Sequence, residues 1–404
     1  MTPRLTAIPG GVTAPRGFRA AGLHCGIKAS GKPDLALVAC DTDATAAGLF
    51  TLNLAKAAPV LVSTAHLGAT GGRARAVVTN SGCANACTGP QGLDDAREMA
   101  ALTAAALGCA PEKVLVASTG VIGVNLKMPA LRSGIPAAAV ALSVDGGAAA
   151  ADGIMTTDPF PKSAAVEVTT PHGTFRVGGM AKGSGMIEPR MATMLGYLTT
   201  DAAVDATRLH RLLTEACRYT FNAITVDGEP STNDCVFALA SGASGVAIDD
   251  ATEAALFEGF RAVARELALD IVRGGEGATK LVSITASDAA SDADAWTAAR
   301  AIANSLLVKT AIHGGDPNWG RLVAAAGRSG AQFVLEGARV RIGSLVLFAD
   351  GRPFDELAPQ AAEYLRGADL EIEVGLGTGG GRSATVWTCD LSKMYVQINA
   401  EYRT

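Results

Sequence analysis

Charge is sparse in this sequence. Asp, Glu, Lys and Arg make up 18% of its 404 residues, the net charge is −5, and no long basic run occurs. A nucleic-acid-binding protein would carry a basic patch, so that class is excluded, while local basic pockets are not. No run of about 20 apolar residues occurs, so no membrane-spanning helix is expected. The opening MTPRLTAIPGGVTAP has no apolar core behind a basic start, so the expected location is the cytoplasm. Five histidines without H-E-x-x-H, and eight cysteines without C-x-x-C, form no zinc pattern. Cys25, Cys40, Cys83, Cys87, Cys109, Cys217, Cys235 and Cys389 read mostly as small buried apolar side chains, not as a disulfide framework. G-x-x-x-x-G-K-[ST] and G-x-S-x-G are also absent, which removes the phosphate loop and the serine elbow.

What is abundant is apolar surface. Hydrophobic residues make up 49%, enough for large cores in about two or three domains. Short apolar runs read as buried strands: LALVAC from Leu35, PVLVS from Pro59, ARAVVT from Ala74 and KVLVAS from Lys113. LDDAREMAALTAAALG from Leu93 reads as a helix, with acidic residues in its first turn and Gly108 past its end. SAAVEVTTPHGTFRVGG reads as a hairpin turning at Pro171-His172-Gly173. Helical patterns follow Asp205, span Glu253 to Arg273, and run from Asp294 to Thr310. After about Lys280 the texture changes. KLVSIT, AQFVLE, ARVRIG, LVLFAD, DLEIEVGLG and SATVWTCDL read as strands around two helices, a separate α+β domain. ASDAASDADA, from Ala286, reads as a plausible junction.

GLGTGGG has the G-x-G-x-x-G spacing at Gly375, Gly377 and Gly380. A dinucleotide site needs a helix after these glycines, and RSATVWTC is a strand pattern, so a hairpin turn is expected. In KGSGMIEPRMATMLGYLTTDA a glycine loop leads through Pro189 to Ala192-Thr193. A threonine hydroxyl is a weak nucleophile unless a base takes its proton. An N-terminal threonine carries such a base, its own α-amine, with a pKa of about 7.7–8.0. An internal threonine reaches that state only by scission of the preceding peptide bond. By themselves these residues read as an ordinary strand-starting threonine.

The wider sequence resembles the ornithine acetyltransferase family, the bifunctional glutamate N-acetyltransferases. GMAKGSGMIEPRMATML is similar to that family's self-cleavage segment. GFRAAGLHCGIKASGKPDLALV, KAAPVLVS, NSGCANACTG, ASTGVIG, IMTTD, ITVDGEPSTND, GGEGATK, SLLVKTAIHGGDPNWGR and WTCDLSKMYVQINAEYRT are similar to family blocks in the family's order. Together they run from Thr13 to Thr404. The resemblance implies an α+β protein. An αββα sandwich like that of N-terminal-nucleophile amidases, residues 1–282, would be cut at 192/193. A smaller C-terminal α/β domain, residues 283–404, would return its tail to the active site.

The resemblance also implies roles. Thr193, freed by cleavage after Ala192, carries the acetyl group. Thr119 and Gly120 form the oxyanion hole, although by themselves they read as a glycine turn after a strand. Thr156, Lys182, Thr193, Glu276, Asn399 and Thr404 bind substrate. The implied reaction moves acetyl from N-acetylornithine to glutamate in arginine biosynthesis, with acetyl-CoA a candidate further donor and no metal or organic cofactor. The two fragments stay associated, two such pairs forming an α2β2 assembly. The alternative on the same scaffold is an aminopeptidase or amidase with water as acceptor. GDPNWGR reads as structural, a Pro-Asn turn anchored by Trp319. Cys83, Glu188, Arg190 and Gly275 depart from the family's usual residues and bear on substrate selectivity and cleavage rate.

Overall fold

The apolar stretches of LALVACDTDATAAGLF build one long strand, β3 (Leu35–Phe50), and the larger half of the molecule is organised around it. The computed structural model describes residues 3–188 and 194–401. The chain divides into two compact units. Of the described residues, one holds those up to Asn222 with Pro230–Ile271, the other Ala223–Glu229 with Val272 to Glu401.

The first unit runs β1 (Arg4–Ala7), β2 (Phe18–Leu23), β3 (Leu35–Phe50), α1 (Ala58–Ala69), β4 (Arg73–Cys83), α2 (Gly89–Leu107) and β5 (Val114–Val121). It continues with α3 (Met128–Val140), α4 (Gly147–Ile154), β6 (Lys162–Thr170), β7 (Gly173–Lys182), β8 (Leu195–Thr200), α5 (Ala206–Arg218), β9 (Cys235–Ala240) and α6 (Glu253–Arg273). The sheet order is β1-β6-β7-β8-β9-β3-β4-β5, with β2 also on β3. One edge of β3 serves two partners: Leu35–Cys40 pair with β2, and Thr45–Phe50 with β9. Between them the pairing with β4 shifts register, between Ala39 and Ala44. An irregularity there bends the strand and folds the sheet into two facing wings.

Period-two alternation decides which layer each residue joins. Ala36, Val38, Cys40, Val77, Leu115 and Ala117 of one wing pack against Met180, Leu195, Tyr197, Phe237 and Leu239 of the other. The Tyr197 hydroxyl meets Thr79 Oγ1 at 2.8 Å across this interior. Their sequence neighbours Leu35, Leu37, Ala39, Val78, Val114 and Val116 face outward, onto Val62 of α1, Met99 of α2 and Leu131 of α3. On the opposite face α6 lies on β6 and β7, where a side chain at Gly259 would strike Val177 and Val168. The layers are helix, sheet, sheet, helix, so the αββα expectation holds.

Several local readings change. PVLVS is the start of α1, with Pro59 in its first turn. β-branched residues favour strands only weakly, and tertiary packing overrides them. Here Ser63 accepts from Val116 N–H and donates to Val116 C=O, both at 2.7 Å, covering the open edge of β5. α2 begins at Gly89, so Asp94 and Asp95 lie beyond its first turn, while Gly108 caps its end at φ 68°. The β6–β7 hairpin turns at Pro171-His172 as expected, and α5 is capped by Asp205.

The second unit comprises β10 (Leu281–Ala289), α7 (Asp292–Ala303), α8 (Leu306–Gly314), α9 (Trp319–Gly327), β11 (Arg339–Ile342), β12 (Leu345–Ala349), β13 (Arg352–Pro353), α10 (Ala358–Tyr364), β14 (Asp369–Gly375), β15 (Arg382–Cys389) and α11 (Lys393–Glu401). Its sheet order is β13-β12-β11-β14-β10-β15. Residues 223–229 join it through Thr225 N–H to Trp387 C=O, 2.9 Å. The pattern over Asp294–Thr310 is two helices, because Ser305 caps a new one by accepting from Val308 N–H. AQFVLE is not a strand. GLGTGGG is followed by a strand, but not in a hairpin: β14 and β15 lie on opposite sides of β10. The glycines therefore cross the end of β10, where Thr378 and Gly379 bond to Asp288. The Ala286 stretch, expected as a junction, is the end of β10 and the Ser291 cap of α7. Trp319 stacks on Phe348 at 4.9 Å, and Asn318 caps α9, in keeping with a structural GDPNWGR.

Candidate active site

Segments far apart in sequence meet at the first residue of β8. Lys182, the last residue of β7, pairs with Leu195, and Cys235 of β9 pairs with Leu195 from the other side. Paired residues share a face, and Leu195 and Cys235 belong to the interior core, so Lys182 points between the wings. Its Nζ donates to Thr119 Oγ1 of β5 at 3.2 Å. Lys182 is 8% exposed and Thr119 9%. An ammonium has three donors, and the threonine hydroxyl takes one.

Gly120 follows Thr119, but not as a turn: β5 continues through Val121. The β4–β5 ladder pairs Gly82 with Gly120 and shifts register at Cys83. Gly120 has φ 129°, and a Cβ there would lie 2.3 Å from the Gly82 carbonyl carbon. Glycine is required on both counts, and the irregularity turns this peptide out of the regular ladder.

Thr156 is half-buried and held by a carboxylate. Asp158 Oδ2 accepts from Thr156 N–H at 3.0 Å. Its Oδ1 accepts from Lys162 Nζ at 2.6 Å and from Gly183 N–H, next to Lys182, at 2.7 Å. Burial would raise the Asp158 pKa, but the Lys182 and Lys162 ammoniums and these hydrogen bonds hold it at about 2. Lys28 supports the same segment, donating to Met155 C=O at 2.7 Å and Pro33 C=O at 2.6 Å. Burial lowers the Lys28 pKa to about 8; the Asp34 carboxylate opposes this and the Lys182 ammonium adds to it. Asp34 shapes that loop by accepting from the N–H groups of Cys25, Gly26, Ile27 and Lys28.

In the second unit, Asn399 Nδ2 donates to Glu276 Oε2 at 2.8 Å and to Tyr395 C=O at 3.0 Å. Glu276 is 6% exposed. Tyr395 donates to Asp227 Oδ2 at 3.2 Å. Burial, then the Asp227 charge, raises the Tyr395 phenol above its ordinary pKa.

Of the residues singled out from sequence, Thr119, Gly120, Lys182 and Thr156 are tied together within the first unit. Glu276 and Asn399 are paired within the second. Ala192, Thr193 and Thr404 lie outside the described residues, as does Arg190. Sequence reasoning passed over Asp158, Lys28 and Asn233, although all three stand in stretches already singled out, IMTTD, GIKASGKPD and STND. In a chain this poor in charge, a charged residue within such a stretch was the available signal for Asp158 and Lys28, and Asn233 offered none. Five of the eight cysteines are buried, and Cys87 is exposed. Among the described residues, no group of three or more His, Cys, Asp or Glu is placed to hold a metal ion. No helix there is long and apolar enough to cross a membrane.

Chemically, the first-unit cluster offers a buried ammonium donating to a hydroxyl, beside a glycine at an irregularity of the β4–β5 ladder. That set suits an anion or a developing oxyanion. The arginine biosynthesis bifunctional protein of Synechococcus sp. is 50% identical over 415 aligned residues, covering 98% of each chain. Its counterpart in Symbiobacterium thermophilum is 51% identical over 404, covering 98% of this chain and 99% of its own. Among solved structures, the ornithine acetyltransferase of Mycobacterium tuberculosis, complexed with ornithine, is 46% identical with a TM-score of 0.43. It covers 47% of this chain and 100% of its own. The sequence model of the ArgJ family matches residues 19–404, and the chain belongs to that family.

Proposed function

We propose that this protein transfers the acetyl group of N-acetylornithine to glutamate through an acetyl ester on Thr193, in arginine biosynthesis. The supporting observation is the Lys182–Thr119 contact of 3.2 Å beside the Gly82–Gly120 irregularity. It lies at the strand that begins two residues after Thr193. The names of the relatives support the pathway. In this reading Ala192–Thr193 is cut autocatalytically and the freed α-amine takes the Thr193 hydroxyl proton. The oxygen attacks the acetyl carbonyl, and Thr119 with Gly120 hold the oxyanion. Ornithine leaves, glutamate attacks the ester, and N-acetylglutamate is released. Lys182 binds the acceptor's carboxylate, and Thr156 orients beside it. Glu276 takes the cationic side chain, with Asn399 and Thr404 among the substrate-binding residues. The fragments assemble as α2β2.

Thr119→Ala should lower kcat by about 10²–10³ with little change in KM, the usual cost of one oxyanion donor. Steady-state kinetics checks this, and a kcat within about twofold of wild type places the hole elsewhere.

Transfer and hydrolysis differ in the second step. Glutamate outcompetes water only if it is bound and aimed, which can supply effective molarities of about 10⁵ M or more. N-acetylornithine alone should therefore give little ornithine beyond one turnover. Added glutamate should restore steady turnover, with N-acetylglutamate formed in step. Lys182→Ala should weaken the response to glutamate. Equal ornithine release without glutamate, with free acetate, would establish the amidase instead. Replacing N-acetylornithine by acetyl-CoA in the same assay reads the second donor.

A further inference from the structure

The side chain of Asn233 is a crossing point inside the first unit. It is 5% exposed and lies two residues before β9. Its Nδ2 gives one hydrogen to Ala84 C=O at 2.5 Å and the other to Ser118 C=O at 2.9 Å. Its Oδ1 accepts from the Thr232 hydroxyl at 2.7 Å. Both amide donors and the acceptor are thus engaged, which fixes the amide's orientation.

The carbonyls it holds are the ones that matter for the oxyanion pair. β5 is the last strand of its wing, so its outer edge has no strand partner. Ser63 occupies that edge at Val116. Two residues on, Ser118 presents its carbonyl on the same edge, and Asn233 takes it. Two further on comes Gly120. The Ser118 carbonyl shares one planar peptide with Thr119 N–H, so holding it stops rotation of the plane that leads into Thr119. The other bond has a parallel effect: Ala84 N–H donates to Val121 C=O at 3.0 Å, so gripping Ala84 ties down the far side of Gly120. The ordinary ladder fails between these points, where register shifts at Gly82 and Cys83. A second buried amide completes the brace: Asn80 accepts from Ser118 Oγ at 2.6 Å and donates to Cys83 C=O at 2.8 Å.

We infer that Asn233 is a positioning residue: its amide sets the Ser118–Thr119 peptide plane and thereby aims Thr119 and Gly120. This rests on the reading of that pair as the oxyanion hole.

Asn233→Asp keeps the volume and removes both donors. It should lower kcat about 10-fold or more, equivalent to loss of about one buried hydrogen bond in the transition state, with KM little changed. Assays are run well below the unfolding temperature of each variant. In a Thr119→Ala background the same change should cost less than about threefold, because residues acting as one unit are not additive. Asn233→Ser, which keeps one donor, should fall between wild type and Asn233→Asp and carries the test if the aspartate variant misfolds. A folded Asn233 variant with wild-type kcat, a change confined to KM, or full multiplication of the two effects would overturn the inference. If Thr119→Ala alone leaves kcat intact, the oxyanion reading fails with it. If Thr119→Ala is crippled and Asn233→Asp is not, only the role of Asn233 fails.

Discussion

Thr193→Ala should appear on a denaturing gel as one chain of 404 residues and transfer no acetyl. Wild type should appear as two fragments, residues 1–192 and 193–404, the second beginning TMLGY. Both results have one cause. In the intact chain the Thr193 nitrogen is an amide with no basicity, and the only amine that could serve comes from the scission itself. A free α-amine has a pKa of about 7.7–8.0 and matches a general base at neutral pH. Thr193→Ser keeps a hydroxyl and should still cleave, so it separates loss of nucleophile from damage to the loop. N-terminal sequencing of the smaller products, with acetyl-transfer assays on each variant, checks the prediction. Full activity in an uncleaved wild type would sink the proposed nucleophile.

Asp158→Asn should be the most damaging substitution away from the reacting atoms. The side chains of Asp158 and Lys162 are both 0% exposed. Breaking a buried pair from one side leaves the other charge uncompensated, at a cost of about 3–5 kcal/mol. The same carboxylate satisfies Thr156 and Gly183 N–H, so activity falls as well. Replacing both members by apolar residues, Asp158→Leu with Lys162→Met, should recover much of the stability, as such exchanges often do. It should not recover activity, since both N–H groups still lack their acceptor.

The sign with pH is fixed. The Asp158 pKa is about 2 in the fold against an ordinary 3.8, so the folded state holds this proton less tightly. The stability gained, about 2 kcal/mol, is fully present above pH 3.8 and is lost as pH falls towards 2. Urea midpoints across that range should fall in wild type and fall less in the double variant. A midpoint curve with the same slope in both would remove Asp158 as the acid-labile group.

Much of this molecule was legible in its sequence because period and punctuation are local properties. The apolar run of LALVAC, the Asp205 cap and the Pro171-His172 turn each act within a few residues. The motif order likewise carried the family. Readings failed where a neighbour distant in sequence decides. PVLVS has strand propensity, but the open edge of β5 needed a cover that could reach Val116, and a helix bearing Ser63 supplies it. GLGTGGG looks like a hairpin until β10 is seen between β14 and β15. The candidate site divides in the same way. The sequence by itself determined which residue types are present: a threonine for the proposed ester, a lysine for the proposed carboxylate contact, glycines where backbones must touch. Only the tertiary structure brought Lys182 to Thr119, set Gly120 against Gly82, and gave Asp158 and Asn233 their work. Those arrangements depend on a sheet folded on itself at β3, and the buried charge and amide have meaning only once water is excluded around them.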